Sequence, residues 1–247
     1  MRIVVVTSEA NFVQDNYAHL LRELLAEYED EIAALVVVRT VSLGLGAKIA
    51  GLYAMGVREI AKILLQNSLR ATFGRPFASF ERAGIPCIVT DDINSQATLR
   101  QIEDCQPDLV INARTRAIFG AELLDLARLG CINIHHGVLP RYRGTMCDLW
   151  ALYEGRNPGF SIHEMTAKID EGDILHVHEH HDWDSKEYFQ LPYRSSFVEA
   201  KALIETIEDI DRAGEINGRP NESDDVVYTR DPTWKQIQAM RNEGLIL

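Results

Sequence analysis

The order of apolar runs in the first half of the chain restricts its fold more than any other feature. Arg2 to Thr7 is a short, β-branched, unalternating run, the pattern of a strand buried on both faces. Asn16 to Tyr28 follows with a helical stripe of Leu20, Leu21, Leu24 and Leu25. Ile32 to Val38 is a second apolar strand. Strand, helix and strand in this order predict a parallel pair joined by a right-handed crossover. Further strands are predicted at 85–90 and 109–113, with an amphipathic helix between them opened by Asn94 or Ser95. The expected fold is therefore α/β, with a Rossmann-like, mostly parallel sheet. At 247 residues and 46% apolar content, the chain can bury the core of one large domain, with or without an appendage.

Other segments read less directly. Gly44 and Gly46 suggest a dinucleotide fingerprint, but Ile49 occupies the place of its third glycine and the segment does not follow the first strand. The preferred reading is a glycine-punctuated loop feeding a helix at 57–69. A helix over "GAELLDLARLG" is expected to close at Gly130. Residues 148–154 begin another helix, 160–165 and 174–180 are strands, and 196–213 is a long amphipathic helix. Pro232 falls in the first turn of a last helix that Gly244 ends.

The chemistry concentrates in "CINIHHGVLPRYRG", Cys131 to Gly144. Asn133 and His135 are two apart, so on a strand both project from one face. They lie at the carboxyl end of an expected central strand, where open α/β sheets bind ligands. "KIDEGDIL" supplies Asp170 before a turn at Gly172. A carboxylate near His135 raises the ring's affinity for a proton. The amide of Asn133 can donate to an oxygen gaining negative charge. No Ser or Cys nucleophile belongs to the set, so direct transfer fits better than a covalent acyl-enzyme.

"INIHHGVLPRYRG" and "SIHEMTAKIDEGDIL" together resemble the folate-dependent formyltransferases, which include methionyl-tRNA, glycinamide ribonucleotide and nucleotide-sugar formyltransferases. Asn133, His135, Leu139, Pro140, Gly144, Asp170, Gly172 and Ile174 match the family pattern in order and spacing, over roughly the first three quarters of the chain. The resemblance implies a catalytic domain over 1–185 and a helical C-terminal extension over 186–247. It implies 10-formyltetrahydrofolate as formyl donor and a primary amine as acceptor. Asn133 and protonated His135 would hold the oxyanion while Asp170 orients and charges the ring. The pteridine would be held by backbone at Arg116, Ala117, Ile118 and Phe119, and at Thr166, Ala167 and Lys168.

Departures from the pattern narrow the acceptor. His136 and Gly137 stand where the family has Pro, Ala or Gly and then Ser; His136 could be an extra proton carrier, but is read in preference as an ordinary loop residue pointing away. "TSEANFVQDN" replaces the glycine-rich turn of glycinamide ribonucleotide formyltransferases, and the chain ends before the barrel-like domain of methionyl-tRNA formyltransferases. A net charge of -12 repels a phosphate backbone and disfavours tRNA. The expected partner is a small-molecule amine, for example a nucleotide-linked amino sugar. The rivals are a tRNA formyltransferase-like activity, a 10-formyltetrahydrofolate hydrolase and a non-catalytic folate-binding module. The extension is left with two roles, acceptor binding or a homodimer contact.

Four scattered cysteines without paired spacing fit a reducing compartment. "MRIVVVTSEA" lacks the pattern of a signal peptide and no run is long enough to span a membrane, so a cytoplasmic location is expected. His176, His178 and His180 alternate on a strand, but ligands from one local strand rarely close a tetrahedron, so no metal is expected; a solvent-facing strand edge is the preferred reading and a substrate-facing His the next. Arg141 and Arg143 are divided evenly between gripping a ligand phosphate or glutamate tail and being loop charges. His163 is read as a plain sheet position. Trp183 and Tyr188 are divided between stacking on a ligand and packing.

Overall fold

The computed structural model describes residues 1–247. Its strands are β1 (Ile3–Ser8), β2 (Ile32–Val38), β3 (Cys87–Thr90), β4 (Leu109–Ala113), β5 (Gly130–His135), β6 (Tyr142–Gly144), β7 (Gly159–Glu164), β8 (Ile174–Glu179) and β9 (Val227–Thr229). Its helices are α1 (Ala18–Tyr28), α2 (Leu43–Ala54), α3 (Arg58–Phe73), α4 (Ala78–Arg82), α5 (Gln96–Asp104), α6 (Ala121–Leu124), α7 (Cys147–Tyr153), α8 (Leu191–Ala213) and α9 (Trp234–Asn242). Seven strands form the main sheet in the order β3-β2-β1-β4-β5-β7-β8. The first five run parallel, and β7 and β8 are added antiparallel. β6 and β9 make a separate parallel pair. The expected α/β architecture is thus present, mostly parallel and doubly wound, with the winding reversing between β1 and β4.

Alternation along each strand divides the core. Ile3, Val5, Leu35, Ile111 and Ile134 face one side, against Leu20 and Leu24 of α1 and Leu203 and Ile207 of α8. Val4, Val6, Val36, Val110 and Cys131 face the other, against Leu99 and Ile102 of α5 and Leu123. Each such side chain stabilises the fold by roughly 1.5–3 kcal/mol on burial. α8 supplies five buried side chains from Ala200 to Ile210 to the first core, while Ile237 and Met240 of α9 pack with Val57, Ile60 and Leu149 in a separate cluster.

Several local expectations change. The glycine-bearing stretch after β2 is helix α2, not a loop: Ser42 caps it, its hydroxyl accepting from the Leu45 amide at 3.2 Å. Leu45, Ile49 and Leu52 then lie half-buried on one face, and that spacing outweighs the glycines. The helix expected up to Gly130 stops at Leu124. Beyond it the amides of Arg128 and Leu129 bond to the carbonyls of Pro107 and Asp108, so the chain is drawn toward the start of β4, and Gly130 opens β5. α8 starts a turn earlier than expected, with Pro192 in its first turn. α9 is begun by a Thr233–Gln236 capping box, leaving Pro232 just outside it. No helix is long and apolar enough to cross a membrane.

Candidate active site

β5 ends at the carboxyl edge of the sheet, and its register with β7 sets the site. Asn133 lies opposite His163, and His135 opposite Ser161. Paired residues share a face, so Asn133, His135 and His163 all point to the α5 side. Ile174 pairs with His163 on the far strand, and the turn between β7 and β8 returns Asp170 to the same place.

Asp170 is the residue that binds this group together. Its Oδ1 is 3.5 Å from His135 Nδ1 and 3.6 Å from His163 Nε2, and its Oδ2 accepts the Gly144 amide at 2.8 Å. Its backbone is left-handed, with φ 55°. Asn221 holds that conformation, donating from Nδ2 to the carbonyls of Asp170 (3.0 Å) and Gly172 (2.9 Å). A Cβ on Gly172 would fall 2.1 Å from the Glu164 carbonyl oxygen, so only glycine fits. Burial opposes ionisation of Asp170, but His135, His163 and the Gly144 amide outweigh it and hold the carboxyl down at about 2.

The protons on the two rings follow from their partners. The Tyr142 carbonyl lies 2.9 Å from His135 Nε2 and can only accept, so Nε2 carries hydrogen. In the same way His163 Nδ1–H donates to the Glu164 carbonyl (2.6 Å), and its bare Nε2 accepts from Asn133 Nδ2 at 3.1 Å. Burial pushes the His135 imidazole below its usual value and Asp170 restores only part of the loss. Gly137 is also required here: a Cβ would meet His135 Nε2 at 2.6 Å and Cys147 Cβ at 2.7 Å. The amide, the imidazole and the carboxylate therefore converge. Asn133 keeps one amide hydrogen for a further acceptor, and the Asp170 carboxylate lies where it stabilises a positive charge on the His135 ring.

The two backbone segments expected at the pteridine follow the carboxyl ends of β4 and β7. Asn112 fixes the first, its Oδ1 accepting from the Thr115 amide at 3.0 Å. Phe119 is buried in the α5-side core, with Ala117 packed against it; Ile118 is 66% exposed, and Arg116 is paired with Asp231 at 2.9 Å. In the second segment Thr166, Ala167 and Lys168 are exposed, the Thr166 hydroxyl bonds the Lys168 carbonyl (3.1 Å), and the adjoining Met165 packs on the same core as Ala117.

Other residues differ from expectation. His163 is not a plain sheet position: it bridges Asn133 and Asp170, which only the β5–β7 register could reveal. His136 does not point away: its ring is buried among Arg114, Asp148 and Glu199. Arg143 is buried, donating to the Asn221 carbonyl (2.7 Å) and the Tyr228 hydroxyl (3.1 Å), while Arg141 pairs with Asp225. Both are spent on loop structure. His176 and His178 stack on Phe160, on the α8 side of the sheet, and His180 bonds Ser195 (3.0 Å). Tyr188 is buried and donates to Asp148 (3.0 Å). Trp183 lies under the Arg194 guanidinium, 5.4 Å from the ring centre. Asn221, in a polar loop, gave no sequence signal at all.

A mostly parallel sheet that reverses its winding between β1 and β4, with this constellation at the carboxyl end of β5, defines a doubly wound α/β protein. The family profile described as Formyl transferase matches residues 1–207, and the chain belongs to that family. A methionyl-tRNA formyltransferase of Thermotoga neapolitana is 32% identical over 149 residues, covering 60% of this chain and 47% of its own length. One from Lysinibacillus sphaericus is 41% identical over 93 residues, covering 37% of this chain and 30% of its own. The chain thus spans half or less of the length of these curated relatives. Among solved structures, glycinamide ribonucleotide transformylase 1 from Symbiobacterium toebii superposes with a TM-score of 0.60 at 18% identity, covering 90% of this chain and 94% of that one. A sugar N-formyltransferase from a Shewanella species gives 0.56 at 22%, covering 93% and 76%. HypX from Aquifex aeolicus, solved with tetrahydrofolic acid, gives 0.55 at 16%, covering 98% and 31%.

Proposed function

We propose that the protein transfers a formyl group from 10-formyltetrahydrofolate to a primary amine of a small molecule. The convergence of Asn133, His135 and Asp170 supports this reading above all else. In it, the donor lies against the 116–119 and 166–168 segments on the α5 side of β5. The amine attacks the formyl carbon. Asn133 donates its remaining Nδ2–H to the formyl oxygen as it gains charge, and His135 Nε2–H exchanges its bond to the Tyr142 carbonyl for one to the same oxygen, with more effect there than in water. Asp170, ionised at any physiological pH, stabilises the positive ring when His135 takes up a proton. The carbon–nitrogen bond to the folate then breaks and that nitrogen is protonated. Holding both reactants in line contributes much of the acceleration.

The net charge of -12 and the structural likeness to a sugar N-formyltransferase support a small acceptor over tRNA, with a nucleotide-linked amino sugar as the leading class. The test is to supply 10-formyltetrahydrofolate with amino-sugar nucleotides, free amino acids or methionyl-tRNA and follow formamide formation by mass spectrometry. Formylation of a sugar amine supports the reading. Formylation of methionyl-tRNA alone overturns the acceptor class. Formate release without any acceptor, or folate binding without turnover, overturns the transferase reading.

A further inference from the structure

A second group of titratable side chains is left idle by this mechanism. It lies on the α8 side of β5, one residue along from His135. His136 Nδ1 is 2.6 Å from Arg114 Nη2, 3.4 Å from Glu199 Oε1 and 3.9 Å from Asp148 Oδ2. The Tyr17 hydroxyl donates to Glu199 and the Tyr188 hydroxyl to Asp148. The Arg114 guanidinium covers the Tyr17 ring at 5.1 Å, and His180 is within electrostatic reach of His136. Five parts of the fold meet here: the ends of β4 and β5, the turn before α1, the start of α7, and α8.

Its position is that of a ligand site. Arg114 follows β4, and its carbonyl accepts from Ser8 at the end of β1 (3.3 Å). This is the switch point of the winding. Cys147 and His135 both come within 2.7 Å of where a Gly137 Cβ would sit, so Asp148, the next residue, borders the Asn133–His135–Asp170 group. The backbone is strained around it: Tyr17, Arg114 and Met146 are left-handed, with φ 64°, 71° and 59°. Residues bearing a Cβ adopt that conformation at a cost, and such strain gathers at functional sites.

The charges do not balance. A guanidinium can only donate, so His136 Nδ1 accepts from Arg114, and the neutral ring carries its hydrogen on Nε2. With both acids ionised, one cation faces two carboxylates, and burial accordingly pushes both carboxyls up, since an unpaired buried charge is costly. Arg114 Nε, His136 Nε2 and Glu199 Oε1 are buried without hydrogen-bond partners. Asp148 Oδ1 accepts from Tyr188 (3.0 Å) and the Leu149 amide (2.9 Å), while its Oδ2 accepts no hydrogen bond.

Resting on the N-formyltransferase reading, we propose that Asp148, with Glu199 beside it, receives the acceptor as its ammonium ion and removes the proton that must leave before attack. The ammonium supplies the missing positive charge. It gives one proton to the carboxylate, leaving a neutral amine and a carboxylic acid, so the pocket is neutral before and after the step. The amine lone pair then forms the bond to the formyl carbon, the bond from that carbon to the folate nitrogen breaks, and a second amine proton passes to that nitrogen. The carboxylic acid returns its proton to water. Asp170 is poorly suited to this role, with Oδ2 bonded to Gly144 and Oδ1 facing two rings. Burial holds the Asp148 carboxyl up at about 6, where it can accept a proton at neutral pH.

Two small acceptors test this. Ethanolamine is an ammonium ion at pH 7, and hydroxylamine is already neutral. Each is supplied in excess with 10-formyltetrahydrofolate to the wild type, Asp148→Asn and Glu199→Gln, and the N-formyl products are quantified. The proposal expects both variants to lose at least about tenfold more kcat/KM on ethanolamine than on hydroxylamine, and the ethanolamine loss in Asp148→Asn to shrink as pH rises. Turnover of hydroxylamine serves as the measure of intact folding. Equal losses on both amines, or no loss on ethanolamine, overturn the proposal. Where the wild type formylates neither small amine, the amine it accepts among amino-sugar nucleotides, amino acids and methionyl-tRNA is used at pH 7 and at pH 9.5 instead, and an Asp148→Asn loss that does not shrink at the higher pH overturns the proposal; formylation of no amine in that set overturns the transferase reading beneath it.

Discussion

At Asp170 a left-handed backbone, a buried carboxylate and two facing imidazoles occupy one turn, and Asn221 holds them there. Removing the oxyanion donor or its electrostatic support is worth roughly 10²–10³ in kcat. Asn133→Ala and Asp170→Ala should lose that much in formyl transfer with circular dichroism unchanged, and a near-silent variant of either would refute the assigned roles. Asp148 behaves in the opposite sense from Asp170. Burial raises its folded value to about 6, above an unfolded value of roughly 4. The folded state therefore binds the extra proton, so the cost of ionising Asp148 is absent below about pH 4 and grows as pH rises through 6. Asp148→Asn should raise Tm at pH 8 and leave it unchanged at pH 4, which a pair of calorimetric scans would check. Asn133, His135 and Asp170 were legible because two short motifs carry them. His163, His136 and Asn221 were not, because their roles depend on strand register and on a loop that returns from more than fifty residues away.

Elements read well where one face is apolar and both ends are marked. α1 and α5 have such a stripe, and Ser95 caps α5 by accepting from the Thr98 amide. α2 escaped because its glycines argue for a loop, and because it packs on α3 without burying any residue of its own. The same facts give a prediction. A Cβ at Gly46 would meet nothing within 4 Å, so Gly46→Ala should stabilise the protein by about 0.5–1 kcal/mol, seen as a higher urea midpoint. A lower midpoint would mean that α2 is not helical in solution. α6 failed in the other direction: its sequence continues a helical pattern that hydrogen bonds to Pro107 and Asp108 interrupt.

For the molecule as a whole, α8 decides how the parts cohere, since its Ala200, Leu203 and Ile207 complete the core under β1, β4 and β7. Leu203 is fully buried, and Leu203→Ala should cost about 2–5 kcal/mol in one cooperative transition measured by calorimetry; a separate early transition would mean that the C-terminal part melts alone. The sequence by itself determined the α/β class, the parallel opening and the Asn-His-Asp set, because periodicity and spacing are local and survive in a linear reading. Only the tertiary structure decided which face of β5 each histidine meets, that β7 and β8 run antiparallel, and that Arg114, His136, Asp148 and Glu199 share one buried pocket. Those depend on register and on contacts between segments distant in the chain, where a shift of one residue exchanges the two faces of a strand.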